Sequence, residues 1–435
     1  MSVYPRNLSN FLNRLSGYNK NNVKLTVLGS DAASQGDIIQ VDLPSNSIVD
    51  LSSLAWSFQV IYGTQAAAGV MVPPMNAEGL IQRLAVEVNG QTLVNLTNYN
   101  DLFHVLLNTT ATEDYQRQRM IAQTNVSSTA AATASTNGTT QNLVNADGVN
   151  AASTRRHTID TWLGFLGSAK PNFIDTSLLG NVRISITLAS GNILGGSAGA
   201  ANNNRTYAIS SQAFSIDVVS IADGIYDAMV DQMLASGRPI EIPFKNYFTF
   251  TSLQNNMGQT TSFNVASQSI DRLWGTARLQ THTDADAPRV AVDAQNAVLS
   301  TIKHTPPYFT FKGDQGRHYQ FQVNNTLYPN WQLDTADKMY QHTKLAIGDQ
   351  GNMLSGAVPV SAASYLQNFF AFAVSLEHHT DSDERFLSGI DTRGASANCQ
   401  FKSDDNGANA SQIIVFAECT SSLKIMANKV LEIVQ

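Results

Sequence analysis

The chain has 435 residues, of which 43% are hydrophobic and only 14% are charged, whereas about 25% charged residues is typical of soluble domains. Its net charge of −7 at pH 7 argues against a surface devoted to nucleic acid, and we expect no sequence-specific nucleic acid binding. The length is sufficient for two large domains. A surface poor in charge loses little hydration energy when it is covered, so it suits a protein packed among other chains. An ordinary β-rich protein with a neutral surface explains the composition equally well.

The first 22 residues are basic and amphipathic. Four apolar side chains fall on one helical stripe, and no acidic residue occurs before Asp31. A short helix of this kind suits an anionic lipid surface, although packing against a neighbouring subunit explains the stripe as well. The candidate residues for contact with a membrane or a neighbour are Arg6, Leu8, Phe11, Leu12, Arg14 and Leu15.

Alternation of apolar and polar residues predicts strands along most of the remaining chain. The clearest examples are residues 84–88 and 182–188 in the first half, and residues 319–323 and 370–376 in the second. The aromatic residues of the last two are expected in a core. The further predicted strands are 23–28, 37–43, 54–62, 157–166, 214–221, 240–253, 273–280 and 413–420. About eight strands in each half is the number that a jelly roll needs.

Few helices are predicted. Residues 99–107 and 113–121 carry apolar side chains at helical spacing. A third helix is predicted to join the halves, because Asp223 provides a start signal, and Gly237 followed by Pro239 provides a stop signal. The sequence therefore predicts an all-β protein with a few short flanking helices.

The two halves of the chain share short sequence echoes in the same order. The turn at residues 88–91 precedes the helix at 99–107, and about 235 residues further on the turn at 323–326 precedes a helix at 337–345. The other echoes pair residues 45–48 with 267–270 and residues 173–176 with 389–392. Each echo is weak alone, but their common order predicts that residues 23–221 and 238–435 have the same eight-stranded topology.

The two cysteines, Cys399 and Cys419, are too few for a disulfide framework and lack the spacing of metal ligands. We expect both to be buried in a reducing compartment. No apolar run approaches the roughly 20 residues that span a bilayer, and the first ten residues lack the apolar core of a signal peptide. The chain is therefore expected to be made and kept in the cytoplasm.

The best metal-like cluster combines His378 and His379 with Asp381, Asp383 and Glu384. It lacks the His-x-His pattern of metal-binding cupins and the glycine of a calcium loop, so a solvated polar turn is the better interpretation. The sequence also contains no nucleophile elbow and no clear acid pair. We predict no catalytic residues, no cofactor or metal site, and no enzymatic activity.

The pattern resembles one family, on the strand and turn at residues 84–91, the helix at 98–107, the junction at 214–221, and the closing segments at 414–419 and 423–426. The family is the double jelly-roll major capsid proteins of tailless membrane-containing phages, adenovirus and large eukaryotic DNA viruses. The likeness covers most of the chain from Val23 onward. It implies two eight-stranded jelly-roll barrels in tandem, three chains in a pseudo-hexameric trimer, and trimers tiling an icosahedral shell around an internal membrane.

The resemblance also implies a domain layout. It divides the chain into an inner arm (1–22), a first jelly roll (23–222), a linker helix (223–238) and a second jelly roll (239–435). The nearly uncharged tract at 123–153 corresponds to an outer or intersubunit loop. The implied partners are two further copies of the chain, neighbouring trimers, penton and minor capsid proteins, and an internal lipid membrane. The implied location is the virion, assembled in the host cytoplasm, and loops shorter than those of the large eukaryotic viruses point to a phage.

Two other functions are compatible with parts of the sequence. A viral spike or carbohydrate-binding jelly-roll protein explains the β-rich pattern, but it would be expected to show repeated exposed aromatic residues or paired acids. A two-domain cupin-like enzyme explains the duplication, but its metal ligands are missing from the sequence. A structural shell protein accounts for the duplication, the low charge and the missing chemistry together.

Overall fold

The computed structural model describes fifteen parts of the chain: residues 18–62, 71–72, 74, 76–110, 153–196, 206–221, 224–254, 260–283, 307–313, 318–347, 365–366, 369–377, 389–394, 398–403 and 411–435. Several sequence predictions lie outside these residues. They are the six candidate residues of the arm, the helix at 113–121, the tract at 123–152 and the histidine and acid cluster at 378–384.

The first half consists of two main antiparallel sheets. Its strands are β1 (Tyr18–Leu25), β2 (Val27–Leu28), β3 (Ala33–Ser34), β4 (Ile38–Asp42), β5 (Ile48–Tyr62), β6 (Met71–Val72), β7 (Ile81–Val88), β8 (Gln91–Thr97), β9 (Ser153–Ile159), β10 (Phe173–Asp175), β11 (Val182–Leu188), β12 (Gly195–Gly196) and β13 (Tyr207–Ile221). Its helices are α1 (Tyr99–Thr110), α2 (Phe165–Ser168) and α3 (Thr176–Leu179), with 3-10 turns at Ala77–Leu80 and Gly191–Ile193. One sheet has the order β1-β13-β5-β10, with β9 also paired to β5 and β3 to β13. The other sheet has the order β2-β4-β11-β7-β8, and β12 pairs with β6.

Helix α4 (Gly224–Ala235) leads into the second half. The strands of this half are β14 (Ile240–Gln254), β15 (Thr260–Phe263), β16 (Ile270–Leu279), β17 (Tyr319–Val323), β18 (Thr326–Leu333), β19 (Phe372–Ser375), β20 (Cys399–Ser403), β21 (Ser411–Ile425) and β22 (Leu431–Val434). Its helix is α5 (Ala336–Ile347), with 3-10 turns at Gln280–His282, Pro307–Phe309 and Ala427–Lys429. The sheets have the orders β14-β21-β16-β19, with β22 on β21, and β15-β20-β17-β18.

Eight described strands of each half correspond in order and pairing. The set β1-β13-β5-β9 matches β14-β21-β16-β19, and the set β4-β11-β7-β8 matches β15-β20-β17-β18. Chain order also agrees, since the first and last strands of each half lie side by side in one sheet. The predicted fold class, two eight-stranded jelly rolls in tandem with a few short helices, is confirmed.

The alternation in the sequence reflects burial. Along β11 the four apolar side chains are buried and the intervening residues are partly exposed. In the second half the predicted core aromatics are buried, and the ring centroids of Tyr319 and Phe370 lie 4.7 Å apart while those of Phe321 and Phe372 lie 5.8 Å apart. Both cysteines are buried and free, as predicted.

Several strands differ in length from the predictions, and two boundaries differ in a way that changes an assignment. Strand β1 begins at Tyr18 and pairs with β13 along its whole length, so residues 18–22 belong to a sheet rather than to the arm. Lys20 explains this pairing, because its Nζ lies 2.9 Å from both Asp50 Oδ2 and Asp217 Oδ2. The strand predicted at 157–166 ends at Ile159, and the chain turns into α2 at Gly164, where φ is 71°.

A threonine joins two loops in the same way in each half. Thr176 Oγ1 donates to Pro44 O (2.7 Å) and accepts from Ser47 N (3.0 Å), while Thr176 N donates to Ser47 O (2.9 Å). In the second half, Thr392 Oγ1 donates to Val265 O (2.7 Å) and accepts from Ser267 N (3.1 Å), while Thr392 N donates to Ser267 O (2.9 Å). The echo between residues 173–176 and 389–392 therefore has a physical cause, because the same side chain closes the same loop twice.

We predict that Thr392→Val destabilises the protein by about 1–3 kcal/mol, because it leaves Val265 O and Ser267 N without their hydroxyl partner. Thr176→Val should cost a similar amount in the first half. The measurement is the free energy of unfolding in urea. Thr392→Ser is the control, since it keeps the hydroxyl, and equal stability of the valine and serine variants would contradict the prediction.

Candidate functional site at the junction of the two halves

Helix α1 of the first half is buried on almost all sides, including at four polar residues. It follows the β7–β8 hairpin and packs against the second half of the chain. Its buried polar residues are Asn100, Asp101, His104 and Asn108. Since buried polar groups cost free energy unless they are paired, this helix is where specific inter-half contacts are expected.

The central contact is an ion pair between Asp101 of α1 and Arg278 of β16. Arg278 Nη1 donates to Asp101 Oδ1 at 2.9 Å, and the two side chains are 3% and 0% exposed. Arg278 also donates to Gln412 Oε1 (2.7 Å) and to Tyr308 O (3.2 Å), and its guanidinium carbon lies 4.0 Å from the centre of the Tyr308 ring. Four contacts to one guanidinium fix its orientation.

Burial opposes the charge of both partners. It raises the pKa of the Asp101 carboxyl, and Arg278 acts in the opposite direction. Burial also disfavours the charged guanidinium of Arg278, but Asp101 and Tyr308 together outweigh it, and the pKa of Arg278 is raised. Because the desolvation of two ions consumes much of their attraction, such a pair adds little net stability. Its main effect is on the arrangement of the halves. In any other arrangement, at least one of the two charges would be buried without its partner.

His104 lies on α1 three residues after Asp101 and is surrounded by aromatic rings of the second half. Its ring centroid is 5.1 Å from that of Phe309 and 5.8 Å from that of Phe311. Burial lowers the pKa of His104 to about 4, so the imidazole is neutral at pH 7. A cavity of about 10 Å³ beside it has room for about one water, so it is too small for a ligand.

Other contacts extend the junction along strand β14. They are Lys170 N to Pro243 O (3.1 Å), Lys245 N to Ser168 Oγ (2.8 Å), Thr249 Oγ1 to Thr97 O (2.9 Å) and an edge-to-face pair of Phe165 and Phe244 with centroids 5.3 Å apart. Backbone, side-chain and aromatic contacts of this kind hold the halves in one relative position.

A buried charge cluster lies in the second half. Lys245 Nζ is 2.8 Å from Asp271 Oδ2 and 3.5 Å from Glu377 Oε1, while Arg272 contacts Glu377 (3.5 Å) and Glu418 (3.6 Å). Burial raises the pKa of Glu418, and the two bases act against it. Lys245 links the first strand of this half to β16, as Lys20 links β1 to β5, so the cluster is interpreted as structural. Within the described residues, no group of three or more His, Cys, Asp or Glu could hold a metal.

The predicted site residues and the observed junction do not coincide. The six arm residues lie outside the described residues, so the structure places none of them. The analysis of the sequence missed Asp101, His104 and Arg278. A signal was present, because Asp101 and His104 interrupt an apolar helix, and Arg278 interrupts an apolar strand. None of the described helices is long and apolar enough to cross a membrane.

We predict that Asp101→Asn destabilises the protein by about 3–5 kcal/mol, because Arg278 then remains charged in the junction without its partner. Replacing both residues, by Asp101→Leu with Arg278→Met, should recover most of this loss. Urea unfolding measures both effects. Glu241→Gln is the control, because its pair with Lys424 is largely exposed and should contribute less than about 1 kcal/mol. Equal costs for Asp101→Asn and Glu241→Gln would contradict the prediction.

We also predict a loss of stability in acid that depends on His104. The imidazole of His104 is protonated near pH 6.5 in the unfolded chain but only near pH 4 in the folded chain. The contribution of the neutral imidazole to the free energy of unfolding is therefore complete above pH 6.5 and is lost as the pH falls to 4. The total change is about 3 kcal/mol. The free energy of unfolding of His104→Gln should therefore vary less between pH 6.5 and 4 than that of the wild type. His342→Gln, at a less buried histidine, is the control and should remove less of the pH dependence.

Comparison with known proteins gives a match in structure alone. No protein-family model matches the sequence, and no curated protein sequence matches it. Among solved structures, the chain is similar to the PBCV-1 virus capsid chain with a TM-score of 0.64 and 12% identity, over 98% of each chain. It is similar to the Faustovirus major capsid protein with a TM-score of 0.59 and 10% identity, over 97% of this chain and 92% of the other.

A third similar structure is the mavirus major capsid protein, with a TM-score of 0.51 and 9% identity, over 100% of this chain and 95% of the other. Because the alignment with PBCV-1 spans almost all of both chains, their lengths are nearly equal. Loop length therefore gives no reason to prefer a phage source, which stays a prediction. In fold, the chain is a double jelly roll of the kind found in these viral capsid proteins.

Proposed function

We propose that this chain is a major capsid protein that builds an icosahedral viral shell. The observation that carries the proposal is the match of both halves, and of their arrangement, to capsid chains over nearly the full length. The junction supports the same function. A shell subunit has to present two barrels in a fixed relation, and the buried Asp101–Arg278 pair with its surrounding contacts provides such a relation.

We propose, more specifically, that the chain forms a homotrimer. Three chains with two equivalent barrels each supply six barrels, and this number lets threefold symmetry fill a sixfold position in a lattice. The proposed layout keeps the linker helix (223–238) and the second barrel (239–435). It moves the boundary between the arm and the first barrel from residues 22/23 to residues 17/18, because the first strand of that barrel begins at Tyr18. The expected partners are neighbouring trimers, penton proteins and minor capsid proteins.

We further propose that the arm lies on the genome side of the shell, against an internal lipid membrane or neighbouring chains, and that residues 123–153 lie farther out. The basic and apolar pattern of the arm supports this placement. The proposed role is structural rather than enzymatic, with assembly in the host cytoplasm and the virion as final location.

The first test is the mass of the purified protein in solution. We expect a trimer of three 47.0 kDa chains by light scattering, and hexagonal tiles or shells by negative-stain electron microscopy at higher concentration. In the assembled particle each chain should bury well above ~800 Å² against each trimer neighbour. A stable monomer at all concentrations would contradict the proposed function.

The second test concerns the arm. Phe11→Asp with Leu12→Asp should leave the trimer folded and reduce the yield of membrane-filled particles, because the two side chains each contribute about 1.5–3 kcal/mol when buried. The basic residues add about 1 kcal/mol each near an anionic leaflet. Asn10→Asp with Asn13→Asp is the matched control, since it adds the same charge outside the apolar stripe. Normal particle yield from the first variant would refute the role of the arm.

A further inference from the structure

The contact between α1 and the second half encloses a small polar space. This space is the cavity of about 10 Å³ beside His104. Its wall combines Phe309 of the second half with Asn76, Asn100 and His104 of the first half, and the remaining lining residues carry no polar side chain. Three polar side chains of one half therefore meet at a space that the other half closes.

Each of these three side chains ends in a buried atom without a partner. Among the described residues, none forms a hydrogen bond with Asn76 Nδ2, Asn100 Nδ2 or His104 Nε2. The side chains of Asn100 and His104 belong to residues that are only 1% and 4% exposed. An unpaired buried polar atom costs free energy, so three of them around one cavity indicate a common partner.

The two asparagines supply hydrogen-bond donors. Asn100 Oδ1 accepts from Asp101 N at 2.9 Å, so the other end of this amide is the NH2 group. That group carries two N–H bonds, and its interaction with the Tyr308 side chain leaves at least one of them for the cavity. The NH2 group of Asn76 is a donor as well. Two donors therefore belong to the wall of the cavity.

His104 supplies the acceptor. Its imidazole hydrogen-bonds the backbone of Phe309, and this bond favours the protonated ring, as donation to a carbonyl oxygen does. Because Nε2 is unpaired within the described part of the chain, the donor is Nδ1. Burial lowers the pKa of His104 to about 4, and a neutral imidazole carries one proton. Nε2 therefore has a lone pair and no proton at pH 7.

One water molecule matches this set of atoms. Its oxygen accepts from the two amide groups and one O–H donates to His104 Nε2, which gives the three hydrogen bonds typical of a buried water. A cation would meet the N–H groups of both amides, and an anion would meet the lone pair of His104. The cavity volume of about 10 Å³ admits a single water and no larger neutral molecule.

The polar residues of this site are specific to α1. Helix α5 is its equivalent in the second half, because each has 12 residues and follows an equivalent hairpin, β7–β8 or β17–β18. Asn100 and His104 correspond in position to Asp337 and Gln341 of α5, and both of these are exposed. The site thus belongs to the junction and not to the jelly-roll framework that the halves share.

We propose that Asn76, Asn100 and His104 bind one water molecule, which is enclosed when the second half packs against α1. The water joins the start of the 3-10 turn (Ala77–Leu80) to the helix. Because Phe309 forms part of the wall and its backbone also orients the imidazole, the site is complete only when the halves are in contact. The inference is independent of the proposed capsid function, since every contact lies within one chain.

A structure of the full-length protein at a resolution that shows ordered water tests the site directly. We expect one peak within about 2.7–3.2 Å of Asn76 Nδ2, Asn100 Nδ2 and His104 Nε2. The proposal is overturned if the cavity shows no peak, or if two of the three side chains bond each other directly. A peak with the shorter and more numerous oxygen contacts of a cation would also overturn it.

Oxygen-17 magnetic relaxation dispersion counts the slowly exchanging waters of the protein in solution. Asn76→Leu removes one donor and places apolar atoms against the cavity, so it should lower this number by one per chain. Asn330→Leu, at an exposed asparagine of β18, is the matched control and should leave the number unchanged. A folded Asn76→Leu protein, checked by its melting temperature, that keeps the wild-type number would overturn the proposal.

A double-mutant cycle tests whether the water couples the turn to α1. Asn76→Ala and His104→Phe each break the bridge, so their combined lowering of the urea midpoint should be smaller than the sum of the two single effects. His342→Phe, on α5, replaces His104→Phe in the control cycle and should add to Asn76→Ala. Additive effects in the first cycle, or equal coupling in both, would overturn the bridge.

Discussion

The arrangement of the two halves depends on one buried ion pair. Asp101 and Arg278 lie 177 positions apart in the chain and meet where almost no water reaches them. Two buried charges tolerate only the geometry in which they face each other, because any displacement leaves both without water and without a partner. Hydrophobic contacts alone, such as those around Phe309, permit more sliding, since dispersion and area burial are not directional. The ion pair therefore fixes one relative position of the two barrels, which the apolar contact alone would not do.

The two halves of the chain share the same strand framework and differ on the surfaces of their equivalent helices. Each half retains the same strand order, a lysine that ties its first strand to the neighbouring sheet residues, and a threonine that closes the same loop. These features act within one barrel, so both copies need them equally. The helix faces differ in burial, because α1 packs against the second half while several residues of α5 are exposed. Asp101 on α1 corresponds to Lys338 on α5, which pairs with Asp334 in its own half.

The likeness to viral capsid chains at 9–12% identity follows from what a jelly roll requires. A strand needs apolar side chains on one face and polar side chains on the other, and many residues satisfy each requirement. Cores also accept different apolar residues of similar volume. A fold of this kind can therefore persist when few identical residues remain.

The sequence by itself determined the strands, their number and the duplication, because alternation and turn signals act between residues that are close in the chain. The burial of Tyr319 and Phe321 and of both cysteines followed from the same local patterns. Only the tertiary structure decided which polar residues are buried, since that depends on segments far away in sequence. Asp101 and His104 interrupt an apolar helix in a way that also fits an exposed face, and their equivalents Lys338 and Gln341 do lie on a partly exposed helix. What separates the two helices is the second half of the chain, which buries α1, whereas Asp337, Gln341 and Leu345 at the equivalent positions of α5 are exposed among the described residues.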